Sequence, residues 1–209
     1  MMFQLFYTLF NSEFMSLFLK GLLFLVLIAF TQTNFAQPKG LLVGDKAPEF
    51  SVKAQNGTTI VLADLLKKGS VVLFFYRGSW CPYCNRQMAE LQDSIQFIVG
   101  KGAAVVGVTP ETDSSMTQII DKSHASFPLI HDEKYSIMNS YGVSFKMDTV
   151  VFSKYKGYDL KLQKSNGNTD YILPVPATYV IGSDGLIKFV YFNTDYRKRV
   201  TVAELIKQL

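Results

Sequence analysis

The only two cysteines of this 209-residue chain, Cys81 and Cys84, end the segment Val71–Cys84, which reads VVLFFYRGSWCPYC. The apolar first half of this segment predicts a buried strand, and the residues after Cys81 predict a helix. Two side chains three residues apart on a helix lie near the separation that a disulfide needs. The partial positive charge at a helix N-terminus also stabilises a thiolate. The pattern therefore indicates a redox-active dithiol.

Residues next to the cysteines are suited to support such a site. Pro82 fits the first helical position, where no amide hydrogen is needed. Arg77 is expected to close the strand near both sulfurs, where a guanidinium would lower a thiol pKa and hold a peroxide or sulfenate oxygen. A surface ion pair is the alternative role for Arg77. We expect Trp80 to shield the site rather than react, and we expect Trp80, Pro82 and Tyr83 to line the substrate position.

Other uses of two cysteines fit the sequence less well. A structural zinc site needs four ligands, and the chain has no second cysteine pair. His124 and His131 are not at ligand spacing, and nothing places either beside a cysteine as a hydrolase would need. A disulfide across so short a loop constrains the unfolded chain little, so it would contribute little stability. We therefore expect no metal, and a bridge between Cys81 and Cys84 that acts as a switch.

Alternating strands and helices are predicted to position the dithiol. Unbroken apolar runs and amphipathic stretches give the order strand, helix, strand, helix, followed by a hairpin and a closing helix. The predicted elements are two short strands turning at Asn56-Gly57, a central strand Val71–Tyr76, a helix Pro82–Val99, a strand Ala103–Thr109, a helix Ser114–Lys122, a strand Phe127–Ile130, a helix Glu133–Tyr141, a hairpin of Ala177–Ile181 with Leu186–Phe192, and a helix Val200–Gln208. This order predicts an α/β fold with a mixed sheet covered by helices on both faces. Ser144–Tyr171 has no clean periodicity and is predicted to be an excursion from the sheet.

The N-terminal residues have the composition of a targeting segment. The apolar block Leu22–Phe30 follows Lys20 and precedes small and polar residues, which is typical of a signal peptide cleaved after Ala36. The block is shorter than the roughly 20 apolar residues of a spanning helix, although an uncleaved membrane anchor remains the alternative. We therefore expect residues 1–36 to be a signal peptide of an exported protein, periplasmic or secreted, and residues 37–209 to form one domain. The net charge of +4 is too mild to suggest nucleic-acid binding.

Three segments of the chain resemble one superfamily. The strand, Trp80–Cys84 and the helix are similar to the WCxxC site of the thioredoxin fold. Gly44–Phe50 resembles the opening of the peroxiredoxin branch, also called AhpC/TSA or redoxin. Val175–Thr178 resembles the place where thioredoxin-like proteins carry a cis-proline beside the thiols, here Pro176. The resemblance implies a thioredoxin-like α/β fold and an oxidoreductase that needs no cofactor.

The resemblance leaves the reaction and the nucleophile open. The peroxiredoxin motif PxxxTxxC would place its proline at Arg77, its threonine at Cys81 and its attacking cysteine at Cys84, and the family's active-site arginine would fall near Pro176. Thioredoxins attack instead with the first cysteine, Cys81, which we expect to be the more exposed thiol. One hypothesis is a thiol peroxidase acting on hydrogen peroxide or organic hydroperoxides and reset by a thioredoxin-type dithiol. The other is an exported thiol–disulfide oxidoreductase whose Pro176 lines a groove for partner backbone.

Overall fold

The computed structural model describes residues 16, 17, 20, 37–148, 150, 153, 154 and 162–209. The predicted signal peptide lies almost entirely outside the described residues, and so does part of the predicted excursion. Residues Pro38–Leu209 form one compact unit. Within the described ranges, no helix combines the length and apolar character needed to cross a membrane.

The described part of the chain contains a mixed five-stranded sheet with helices around it. The strands are β1 Ser51–Lys53, β2 Thr59–Val61, β3 Ser70–Phe75, β4 Ala103–Thr109, β5 Leu129–His131, β6 Ser144–Lys146, β7 Ile172–Pro174, β8 Ala177–Ile181 and β9 Ile187–Phe192. The helices are α1 Leu62–Leu66, α2 Pro82–Asp93, α3 Ile95–Gly100, α4 Asp113–Ser123, α5 Ser136–Ser140, α6 Leu162–Asn166 and α7 Val202–Ile206. The main sheet has the order β5-β4-β3-β8-β9. Its β3, β4 and β5 are parallel, whereas β8 and β9 are antiparallel to their neighbours.

The central strand β3 is buried on both faces, as its unbroken apolar run predicts. Val71, Leu73 and Phe75 pack into one core cluster. Val72 and Phe74 pack into the other, which also contains both cysteines and the buried side of α2. The strand therefore delivers the dithiol into the interior of the domain.

Two predicted helices differ from the observed ones. The helix predicted over Pro82–Val99 is divided at Ser94, whose backbone leaves the helical region with φ −104° and ψ 7°. The two halves, α2 and α3, still bury their apolar residues in the same cluster. The helix predicted over Glu133–Tyr141 is confined to α5, because Tyr135 adopts a left-handed conformation with φ 57° directly before it.

The predicted excursion is closed at its base by a two-stranded sheet. Strands β6 and β7 pair antiparallel, with Ser144 opposite Pro174. Met147, Leu162 and Leu173 form a small apolar cluster in this region, and Trp80 packs against it. The described ends of the excursion therefore contact the loop that carries the cysteines, through Trp80.

Candidate active site

The loop between β3 and α2 turns sharply to bring the cysteines to the helix start. Gly78 has φ 145°, and a Cβ on it would lie 2.5 Å from Trp80 Nε1 and 3.1 Å from Glu111 Oε1. Only glycine fits this turn without displacing those neighbours. Cys81 then occupies the N-cap position of α2 and Pro82 its first turn, as the sequence predicts. Both cysteines are free thiols.

The Cys84 sulfur lies among hydrogen-bond donors. The backbone N–H of Arg77 donates to Cys84 Sγ at 3.4 Å, and Arg199 Nη2 lies 3.5 Å from the same atom. The expectation that Cys81 is the more exposed thiol is wrong, because each cysteine is only 1% exposed. Trp80 and Tyr83 pack against the cluster that contains both cysteines, which explains this burial.

The pKa values of the two thiols are shifted in opposite directions. A hydrogen bond from the Cys84 thiol lowers the pKa of Cys81 to about 6 against the effect of burial, and the charges of Arg77 and Arg199 contribute. Burial raises the pKa of the Cys84 thiol well above its usual range, and its interactions with Cys81 add to that rise. The opposite directions of the two shifts favour Cys81 as the thiol of the pair that ionises first.

Arg199 is a site residue that the sequence did not predict. Its guanidinium donates to Gln87 Oε1 at 2.8 Å, to the Tyr196 carbonyl at 2.5 Å and to the Lys198 carbonyl at 2.7 Å. Buried Gln87 in turn donates to Thr178 Oγ1 at 3.5 Å. The sequence contained one indication of a polar partner at this place: Gln87, a polar residue on the buried side of α2, three positions after Cys84.

Arg77 has a different environment from the surface ion pair considered as its alternative role. The residue is 2% exposed. Its guanidinium carbon lies 5.0 Å from the ring centre of Trp80 and 4.4 Å from that of Tyr196. The Tyr196 ring also makes an edge-on contact with Tyr83, with ring centres 5.8 Å apart. Arg77 is thus a buried cation held by aromatic rings beside the thiols.

Glu111 holds the active-site loop through hydrogen bonds to Ser79, and the sequence did not predict this role. Its carboxylate is fully buried and accepts the Ser79 backbone N–H at 2.8 Å and the Ser79 hydroxyl at 2.6 Å. Ser165 of α6 donates to the same carboxylate at 2.5 Å. Burial raises the pKa of Glu111, partly offset by these hydrogen bonds. The carboxylate therefore ties the loop before Cys81 to the excursion.

The remaining predicted site residues lie around this centre. Pro82 is exposed, and Trp80 and Tyr83 are half-buried. Pro176 is buried directly before β8, whose Ala177 pairs with Phe75 at the end of β3. The Val175–Pro176 peptide is trans, so the resemblance to the cis-proline position does not extend to the bond itself. Among the described residues, no three His, Cys, Asp or Glu side chains are grouped as a metal site requires.

Comparisons with known proteins identify the family and the fold of this chain. The model of the AhpC/TSA family matches residues 43–190. Peroxiredoxin Q of Populus jackii is 26% identical over 166 residues, covering 79% of this chain and 67% of its own length. The crystal structure of peroxidoxin BcpB from Mycobacterium tuberculosis superposes with a TM-score of 0.61 at 20% identity, over 79% of this chain and 94% of that one. A cysteine-to-serine mutant of Xylella fastidiosa PrxQ gives 0.63 at 16% identity, over 81% and 96%. The chain therefore belongs to the AhpC/TSA family and has the thioredoxin-like fold of the peroxiredoxins.

Proposed function

We propose that this protein is a thiol peroxidase that reduces hydrogen peroxide or organic hydroperoxides through a Cys81–Cys84 dithiol/disulfide cycle. The observation that carries the proposal is a buried thiol pair contacted by an arginine, with each cysteine only 1% exposed and Arg199 Nη2 3.5 Å from Cys84 Sγ. A small peroxide can reach a buried sulfur through a narrow opening. A protein disulfide needs a wider one, because the attacking sulfur must lie in line with the disulfide bond. The peroxiredoxin relatives support the same reaction class.

Cys81 is the attacking thiol in this proposal because its pKa of about 6 makes it a thiolate at neutral pH. Its sulfur attacks one peroxide oxygen, so that an S–O bond forms as the O–O bond breaks. The sulfur is oxidised to a sulfenic acid and the second oxygen leaves as hydroxide or alkoxide. The neighbouring Cys84 thiol supplies the proton that converts this leaving group to water or an alcohol.

Cys84 then resolves the sulfenic acid. Oxidation removes the negative charge of Cys81, which had opposed ionisation of Cys84. The Arg199 guanidinium and the Arg77 backbone N–H are placed to stabilise the new Cys84 thiolate. This thiolate attacks the Cys81 sulfur, the S–S bond forms, and the hydroxyl leaves as water after taking a proton from solvent. An external dithiol of the thioredoxin type reduces the disulfide and returns both thiols.

Stopped-flow oxidation of the reduced protein by hydrogen peroxide tests this function. We expect a second-order rate constant well above that of free cysteine at the same pH. Cysteine-free protein, with both Cys81 and Cys84 replaced by serine, is the control. A rate constant no greater than that of free cysteine, for hydrogen peroxide and for an organic hydroperoxide alike, contradicts the peroxidase assignment.

A second candidate function is thiol–disulfide exchange with other proteins. It is favoured by the placement of Cys81 at an N-cap with a lowered pKa, because such a thiolate also attacks disulfides. Reduction of a protein disulfide by the reduced enzyme, measured beside peroxide reduction, separates the two activities. Fast exchange with slow peroxide consumption would favour this alternative.

We also propose that residues 1–36 direct export, so that the enzyme acts in the periplasm or outside the cell. Support comes from the apolar block Leu22–Phe30 and the small residue at Ala36. Mass spectrometry of the protein isolated from cell fractions tests this. A mature chain beginning at Gln37 in the exported fraction is expected, whereas an intact N-terminus in the membrane fraction would indicate an uncleaved anchor.

A further inference from the structure

Arg199 reaches the thiols from a segment of chain that is largely solvent-exposed. The segment between β9 and α7 includes Tyr196, which is 39% exposed, and Arg197, whose side chain is 62% exposed. Arg199 itself is half-buried. A guanidinium on a long side chain loses considerable rotamer freedom when it is fixed at one sulfur. Its position therefore depends on what anchors the segment.

Tyr196 makes three contacts that join this segment to the redox centre. Its ring lies over the Arg77 guanidinium at 4.4 Å and against the Tyr83 ring at 5.8 Å. Its carbonyl oxygen accepts the hydrogen bond from Arg199 Nη1 at 2.5 Å. One residue thus contacts Arg77 through its side chain and Arg199 through its backbone.

The remaining contacts of Arg199 leave its side chain little freedom once Tyr196 is in place. Nε is held by Gln87 on α2, and Nη1 also bonds the Lys198 carbonyl. Nη2 is then directed at Cys84 Sγ. Displacement of the Tyr196 carbonyl would remove one fixed point of the guanidinium and disturb the orientation of Nη2.

We propose that Tyr196 is a positioning residue that seats Arg199 against Cys84 by anchoring its segment to Arg77 and Tyr83. This role rests on the proposed function, in which Arg199 stabilises the resolving Cys84 thiolate. In this proposal the Arg77 side chain is the cation that packs against the Tyr196 ring. The aromatic ring is required for this anchoring, and the phenolic hydroxyl is not.

Alkylation of Cys84 tests the proposal without any peroxide. In the Cys81→Ser variant Cys84 is the only thiol, and its iodoacetamide rate at neutral pH, divided by its rate at high pH, separates its ionisation from reagent access to the buried sulfur. We expect Tyr196→Leu to reduce the alkylation rate at neutral pH about two- to fivefold, the equivalent of one cation–π contact. Tyr196→Phe keeps the ring and should leave the rate unchanged. Phe97→Leu, which removes an exposed aromatic ring from α3, is the control and should also leave it unchanged.

A double-mutant cycle provides the decisive comparison. Once Arg199→Met has removed the guanidinium, Tyr196→Leu should have no further effect on the alkylation of Cys84. Arg77→Lys keeps the charge but loses the planar group that stacks on the ring, and should act in the same direction as Tyr196→Leu. An unchanged rate in Tyr196→Leu, or an equal loss with and without Arg199, overturns the proposal. Slow peroxide oxidation of the parent protein would contradict the peroxidase function and leave this result intact.

Discussion

Replacement of Arg199 by methionine is expected to slow the resolving step. The change keeps most of the side-chain volume and removes the donor 3.5 Å from Cys84 Sγ. A hydrogen bond to a charged group contributes about 1.5–3 kcal/mol, and each 1.4 kcal/mol changes a rate about tenfold. We therefore expect disulfide formation to slow by about 10- to 100-fold. Attack on peroxide by Cys81 should slow less, because the charge of Arg199 is the smallest of the influences that lower the Cys81 pKa.

Fluorescence of Trp80 allows the two steps to be measured separately. It is the only tryptophan in the chain and is the residue immediately before Cys81. In stopped-flow oxidation, the rate of the sulfenate-forming phase should increase with peroxide concentration, whereas the disulfide-forming phase should not depend on it. Arg197→Met is the matched control, since Arg197 lies two residues away and its exposed side chain bonds Asp195 instead.

The outcome that refutes this reasoning is specific. If Arg199→Met leaves the second phase unchanged, Arg199 does not stabilise the Cys84 thiolate. If Arg197→Met slows it equally, the effect belongs to the net charge of the segment and not to the contact with Cys84 Sγ.

Three further changes have defined expectations. The rate of peroxide attack should rise with pH through a midpoint of about 6 and level off above it, because the pKa of Cys81 is lowered; a rate that still climbs towards the ordinary thiol pKa of about 8.5 would contradict this. Glu111→Gln should lower the free energy of unfolding, measured in urea, by about 1–3 kcal/mol, since one amide oxygen remains where two carboxylate oxygens accept hydrogen bonds from Ser79 and Ser165. Burial raises the pKa of Glu111 from its ordinary 4.5, so ionisation of Glu111 in the fold costs the parent protein stability as pH rises. The difference in unfolding free energy between the parent protein and Glu111→Gln should therefore shrink as pH rises through the raised pKa. A difference that grows with pH would contradict this. Gly78→Ala should destabilise the protein by about 1–3 kcal/mol in the same assay because of its positive φ and the contact with Trp80, and an unchanged midpoint would contradict the tight turn.

The elements that could be predicted from sequence are those whose cause is local. The run from Val71 to Phe75 has no polar residue and is rich in β-branched and aromatic side chains, which is typical of a strand buried on both faces. Pro82 after Cys81 marks the first turn of α2 for a similarly local reason. Strand, turn and helix start were therefore all predictable from about a dozen consecutive residues.

The parts of the site that were not predicted depend on distant contacts. Arg199 is 115 residues from Cys84, and Glu111 is 32 residues from Ser79. In the sequence, Arg199 belongs to a basic cluster typical of a solvated surface, and only the fold turns it inward. The burial of Cys81 has the same origin, because it lies in a core cluster with distant residues such as Phe127 and Val200.

The structure shows what arginine contributes at position 77, where the peroxiredoxin motif PxxxTxxC has proline. Where the peroxiredoxin motif has proline, this chain has a residue whose backbone N–H donates to Cys84 Sγ. Proline has no such hydrogen, so the substitution adds a donor to the sulfur. The Arg77 side chain then stacks with Trp80 and Tyr196. Arg77 therefore contacts the site in two ways: its backbone N–H donates to Cys84 Sγ, and its side chain packs against two aromatic rings.

Trapping of the sulfenic acid with dimedone tests most directly which cysteine attacks. Each single variant, Cys84→Ser and Cys81→Ser, is treated with one equivalent of hydrogen peroxide, and the adduct is located by mass spectrometry. We predict rapid labelling of Cys81 in the Cys84→Ser variant and, in the Cys81→Ser variant, labelling of Cys84 no faster than that of free cysteine. Rapid labelling of Cys84 in the Cys81→Ser variant, with Cys81 slow in its counterpart, would reverse the two roles and contradict the central claim.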